Sequence, residues 1–181
     1  GMNPILLERG KCVEERKEDV ERFWNTGELD LESNVQYGEG GAGAYSDGKL
    51  TTRINDPLCL IVLDELKKHG APEKILRLAK PHIGTDVLLE VVQNIRQRII
   101  SLGGEVRFNS QVTGIYREDD RITGLQINGE EDLVCDRVIF AIGHSARDTF
   151  RMLHKMGIPM EAKPFAMGVR IEQLQSVIDE A

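Results

Sequence analysis

The sequence predicts an α/β chain, and three stretches carry that prediction. Residues 4–10, Pro-Ile-Leu-Leu-Glu-Arg-Gly, form a short apolar run ending in an acid and a glycine, the pattern of a buried parallel strand. Residues 85–102 place Val87, Leu88, Val91, Val92, Ile95, Ile99 and Leu102 on one helical stripe. Residues 105–108, 111–116 and 121–127 are short β-rich segments joined by polar turns such as Glu118-Asp119-Asp120, which reads as a small meander.

Taken in order, the first strand carries Glu8 at its carboxyl end. In doubly wound sheets ligands bind at that edge, and an acid there accepts hydrogen bonds from the ribose hydroxyls of a dinucleotide. A solvated strand end is the plain alternative. Residues 12–24 are charged but helix-compatible, with Val13, Val20, Phe23 and Trp24 able to share a face. Residues 56–69 read as a second helix, with Pro57 in its first turn and Gly70 as its stop, and 71–78 as a short third one. The helix over 85–102 has Thr85 or Asp86 as cap and Gly103-Gly104 as terminator. After the meander, 136–142 predicts an apolar strand running into Gly143, where a cofactor or another backbone passes close.

Between the first two helices lies the most informative run, 33–50, with five glycines in eleven residues from Gly38 to Gly48. Glycine-rich backbone of this kind usually holds phosphate. Gly38 to Gly43 matches the dinucleotide pattern G-x-G-x-x-G, yet no buried strand precedes it and turn residues follow it. Gly43 to Lys49 nearly matches a nucleoside-triphosphate loop, but Leu50 stands where a magnesium-binding Ser or Thr is required. An ordered surface loop without ligand is the remaining alternative.

Composition narrows the classes further. A net charge of -7 and a pI near 5.2 argue against a nucleic-acid partner. No apolar segment approaches the ~20 residues that span a bilayer. Cys12, Cys59 and Cys135 lack C-x-x-C spacing and read as reduced thiols of a cytoplasmic protein. His69, His82, His144 and His154 contain no i, i+4 pair for a helical metal site, so no metal is expected. His144 stands out only because it follows Gly143 at a predicted strand end. Without a Ser/His/Asp or Cys/His set, hydrolysis has no support.

The order of these pieces resembles the FAD-dependent oxidoreductases of the glutathione-reductase-like superfamily, and closely resembles bacterial proteins known only as FAD-dependent dehydrogenases. Residues 4–10, 33–50, 80–86, 103–108, 141–148 and 163–172 carry the resemblance. It implies a partial FAD/NAD(P)-binding, Rossmann-like domain over 3–148, with a helical insertion at 56–84, and the start of a second, substrate domain over 149–181, where 165–171 would form its first strand. It also implies that Glu8 binds the adenosine ribose and that Arg9 lies near the same end of FAD. Gly40, Gly41, Gly43 and the turn Ser46, Asp47, Gly48 and Lys49 would line the pyrophosphate and approach the flavin. Val112 would hold the adenine edge through its backbone, and Ala141 and Gly143 would pack beside the dinucleotide, with Ile142 where relatives commonly carry threonine.

Members of that superfamily open with a strand, a G-x-G-x-x-G turn and a helix, whereas this chain starts at what resembles the second strand. Gly1 reads as a cloning remnant followed by an initiator methionine, Met2. With residues 178–181 ending inside a helical pattern, the chain is expected to be an internal piece of a longer flavoprotein or the product of a truncated gene. The function expected of the parent is FAD-dependent oxidation or reduction of an unknown small molecule, with NAD(P) as a possible second cofactor. The alternatives are an inert binding or assembly module, self-associating through faces exposed by truncation, and phosphate binding by the Gly-rich loop alone.

Overall fold

The computed structural model describes residues 3–179 apart from Asp47, Arg53, Asn55, Ala166 and Arg170. It is a mixed α/β structure built on two small sheets. Strand β1 (Ile5–Leu7) pairs in parallel with β2 (Glu105–Arg107), in the register Ile5 to Glu105 through Leu7 to Arg107. The parallel pairing is as expected, but burial is not, because Ile5 and Leu6 are 40% and 44% exposed. Strand β2 therefore belongs with β1 rather than with the meander.

The meander consists of β3 (Val112–Glu118), β4 (Arg121–Ile127) and β5 (Glu131–Val134), all antiparallel. Its third strand escaped the sequence reading, although Asn128-Gly129 marked the turn: both residues have positive φ, at 53° and 77°. The predicted strand over 136–142 is not formed among the described residues. Its alternation survives, since Val138 and Phe140 pack inward while Ile139 is 92% exposed, but no neighbouring strand supplies a ladder. The predicted strand over 165–171 is likewise not seen at its described positions, where Phe165, Met167, Val169 and Ile171 are exposed.

The helices follow the predicted order. Helix α1 (Val13–Thr26) buries Val13, Arg16, Asp19 and Val20, and Gly27 closes it in the left-handed region. Trp24 does not share that face and instead meets Tyr45 edge-on. Helix α2 (Leu58–Lys68) starts where the Asp56 carboxylate accepts the Leu58 N–H at 2.8 Å, and it ends before Gly70. The segment read as a third helix is a short 3-10 turn (Glu73–Leu76). Helix α3 (Thr85–Ser101) starts without a side-chain cap, so neither Thr85 nor Asp86 serves as predicted. Gly103 and Gly104 end it through N–H bonds to Ile100 and Ile99. Helix α4 (Arg147–Lys155) follows the unpaired segment, and α5 (Gln175–Asp179) lies near the end.

Two cores result. Ala71, Ile75, Ile83, Leu88 and Val91 join α3 to the turns beside it. Ile115, Leu125 and Leu153 join the meander to α4, with Leu7 at the margin. The end of β1 and the Gly-rich run lie where these parts meet through hydrogen bonds.

Candidate functional site

Two local turns prepare the Gly-rich run. Asp30 accepts the N–H groups of Glu32 and Ser33, and Asn34 accepts those of Gln36 and Tyr37, so the chain doubles back before Gly38. The run then lies against the end of β1. One oxygen of Glu8, Oε1, accepts the Gly10 N–H at 2.8 Å and the Gly38 N–H at 3.1 Å. The other, Oε2, takes no hydrogen bond among the described residues. Gly10 must be glycine here, since a Cβ would lie 2.5 Å from the Glu32 oxygen and 2.6 Å from Gly38.

Residues 109–112 run alongside the same edge. Asn109 donates its N–H to Gly10 and Ser110 donates to Glu8, each at 2.9 Å, which brings Val112 at the start of β3 beside the strand end. Arg9 ties this edge to α4. Its guanidinium donates to Glu32 at 2.6 Å and to Asp148 at 3.0 Å, and lies 4.2 Å from the Tyr37 ring centre. Burial works against the Arg9 charge, yet the bonds to Glu32 and Asp148 outweigh it and raise the pKa further above its ordinary value. Gln111 donates to Asp148 as well, and the Tyr37 hydroxyl donates to the Ser145 carbonyl at 2.6 Å.

Sequence reasoning missed Arg16, although it was legible: Val13, Arg16 and Val20 fall at i, i+3 and i+7, which puts the arginine on its own helix's apolar stripe. Its side chain is wholly buried and donates to the carbonyls of Asn34, Gly38, Glu39 and Gly41 at 2.6–3.2 Å. Burial lowers its pKa from the usual arginine range, and the neighbouring Tyr45, Glu8 and Glu39 act in the opposite direction. Glu39 is buried too, accepting from Val13 N–H at 2.9 Å and Arg96 at 3.1 Å, and its burial pushes its carboxyl up.

The other expected site residues divide into groups. Gly40 and Gly41, both with positive φ, lead into a 3-10 turn (Ala42–Tyr45), with Gly40 against Ala44 and Val92. Gly43 and Ser46 close that turn, the Ser46 hydroxyl donating to the Gly43 carbonyl. Gly48 and Lys49 turn elsewhere: Gly48 accepts the Ile83 N–H at 3.0 Å and Lys49 bridges to His82. Asp47 lies outside the described residues. Ala141 and Gly143 are exposed on the unpaired segment before α4. The structure thus brings Glu8, Arg9 and Gly38 together with the segment leading into Val112 at the end of β1, and Gly40 and Gly41 follow Gly38 over Arg16, while Gly48 and Lys49 bond to 82–83.

The model of the flavin-containing amine oxidoreductases matches residues 28–164, from before the Gly-rich run to beyond α4. The chain belongs to that family. An uncharacterised protein of Clostridium beijerinckii is 54% identical over 179 residues, which cover 99% of this chain and 33% of the relative. The chain therefore spans about a third of that relative's length. The family is one of flavin-containing oxidoreductases, which points to a flavin cofactor and lends no support to NAD(P). The edge fits one end of such a cofactor: exposed Gly40 and Ala42 carry N–H groups with no partner among the described residues, and Glu8 keeps one carboxylate oxygen in hand. Among the described residues no group of His, Cys, Asp and Glu is placed to hold a metal, and no helix is long and apolar enough to cross a membrane.

Proposed function

We propose that this chain forms the adenosine and diphosphate side of an FAD site in a longer oxidoreductase of the glutathione-reductase-like type. The observation that carries the reading is the Glu8 carboxylate at the end of a parallel strand, holding the Gly-rich loop with Oε1 and leaving Oε2 for a ribose hydroxyl. Arg9 stiffens that end through Glu32 and Asp148, Val112 offers its backbone to the adenine edge, and Gly40 and Gly41 approach the diphosphate without side chains. FAD, when bound, supplies the hydride or electron transfer. The chain's own residues bind and orient it; those that would select a substrate belong to the remainder of the longer protein.

A titration of the 181-residue chain with FAD, followed by the flavin spectrum and by heat, tests the reading. Saturable binding is expected, with Glu8→Gln weakening it about tenfold for one lost charge-assisted bond, ~1.5 kcal/mol. Equal affinity in the variant would refute the ribose assignment. Absence of saturable binding would refute the claim that these segments suffice.

A further inference from the structure

Arg16 spends its guanidinium on backbone alone. Nε donates to Asn34 at 2.8 Å, Nη1 to Gly38 and Glu39 at 3.2 and 2.6 Å, and Nη2 to Gly41 at 2.9 Å, while Tyr45 lies with its ring centre 4.7 Å from Cζ. A well-packed apolar residue often stabilises a fold as well as a buried charge does, so packing alone does not account for an arginine here. What an apolar residue cannot do is draw carbonyls inward. The peptides are trans, so the C=O and N–H of each unit point in opposite directions. Turning the Glu39 carbonyl toward Arg16 sends the Gly40 N–H outward, and turning the Gly41 carbonyl inward does the same for Ala42. Both residues are exposed, and neither N–H has a partner among the described residues.

The geometry points to Arg16 as the positioning residue of an anion site: it fixes the outward N–H groups of Gly40 and Ala42 for a diphosphate and places a positive charge behind them. This rests on the flavin reading for the source of the diphosphate, but the site is open to test with inorganic pyrophosphate. In the 181-residue chain, pyrophosphate is expected to shift the Gly40 and Ala42 amide resonances saturably. Arg16→Met, which keeps most of the volume, should raise the pyrophosphate Kd at least tenfold while the α3 resonances stay in place. Arg16→Lys, which keeps the charge but not the fork of donors, should raise it threefold or more.

Equal pyrophosphate affinity in Arg16→Met, or unmoved amides in the unmodified chain, would overturn the assignment. Should Arg16→Met fail to fold, equal affinity in Arg16→Lys overturns it. An FAD titration separates the two proposals. Pyrophosphate binding without FAD binding leaves Arg16 in its role and refutes the claim that these segments suffice to hold FAD. FAD binding that leaves Gly40 and Ala42 unmoved supports the flavin reading and overturns the role of Arg16.

Discussion

Replacing Gly38 with alanine tests how tightly the loop depends on what lies beneath it. Gly38 has φ +114°, and a Cβ there would collide with Cδ and Nε of Arg16, which is itself fixed by four backbone carbonyls. Gly27 is the control, since its φ is also positive, at +78°, but nothing lies within 4 Å of its would-be Cβ. The conformational cost common to both is about 1–2 kcal/mol. Gly38→Ala must in addition push Arg16 off at least one carbonyl, and a bond to a charged donor contributes about 1.5–3 kcal/mol. The expected losses are therefore about 1–2 kcal/mol for Gly27→Ala and about 2.5–5 kcal/mol for Gly38→Ala, by adding the two terms. Urea unfolding followed by the fluorescence of Trp24, which sits 6.1 Å from Tyr45, measures both. In an Arg16→Met background the excess at Gly38 should shrink, because the two residues share one contact. A Gly38→Ala loss no larger than that of Gly27→Ala would refute the account of the loop.

Further predictions concern the supports of the site. Ile75 is fully buried against Ile83 and Val91, so Ile75→Ala should cost about 2–5 kcal/mol in a thermal or urea melt. Ile61 on α2 is 57% exposed, and Ile61→Lys should change stability by no more than about 0.5 kcal/mol in the same melt. Asp148→Asn weakens the Arg9 and Gln111 contacts at a half-exposed position, so a loss of at most about 1 kcal/mol is expected. The Arg96 guanidinium holds the Glu14 carboxyl down to about 2 from its ordinary 4.5. A carboxyl lowered on folding stabilises the native state above its unfolded value and loses that contribution as the pH falls through the folded one. The urea midpoints of the unmodified chain and of Glu14→Gln should therefore differ at pH 6 and converge as the pH drops from 4.5 toward 2.

How much of this was legible in the sequence depended on whether the signal was local. Helix α3 was readable from its stripe alone, and the hairpin of β3 and β4 from two β-rich segments around a polar turn, because each is specified by neighbours in the chain. The strand expected at 136–142 shows the limit. Its inward Val138 and Phe140 and outward Ile139 are a strand's pattern, but a ladder needs a second chain segment, and alternation does not reveal whether one is present. For the same reason Glu105–Arg107 was grouped with the wrong sheet: its partner lies about a hundred residues earlier, at Ile5–Leu7.

The site divides along the same line. Glu8 and the glycines announced themselves by type and position, whereas the residue that gathers the loop is an arginine in a helix dense with charge. In such a helix a charged residue is ordinarily taken as solvated, and only register separates Arg16, in line with Val13 and Val20, from the exposed Glu14, Glu15 and Lys17 around it. The burial of that arginine is intelligible only together with the glycines it serves: a Cβ on Gly38 would collide with Arg16, the Glu39 carbonyl turns inward to Arg16, and the carbonyls of Gly38 and Gly41 are shared between Arg16 and the N–H groups of Gly41 and Ala44. A glycine-rich run by itself is only permissive backbone. It becomes a shaped array of outward N–H groups when a fixed donor on a neighbouring helix removes that freedom.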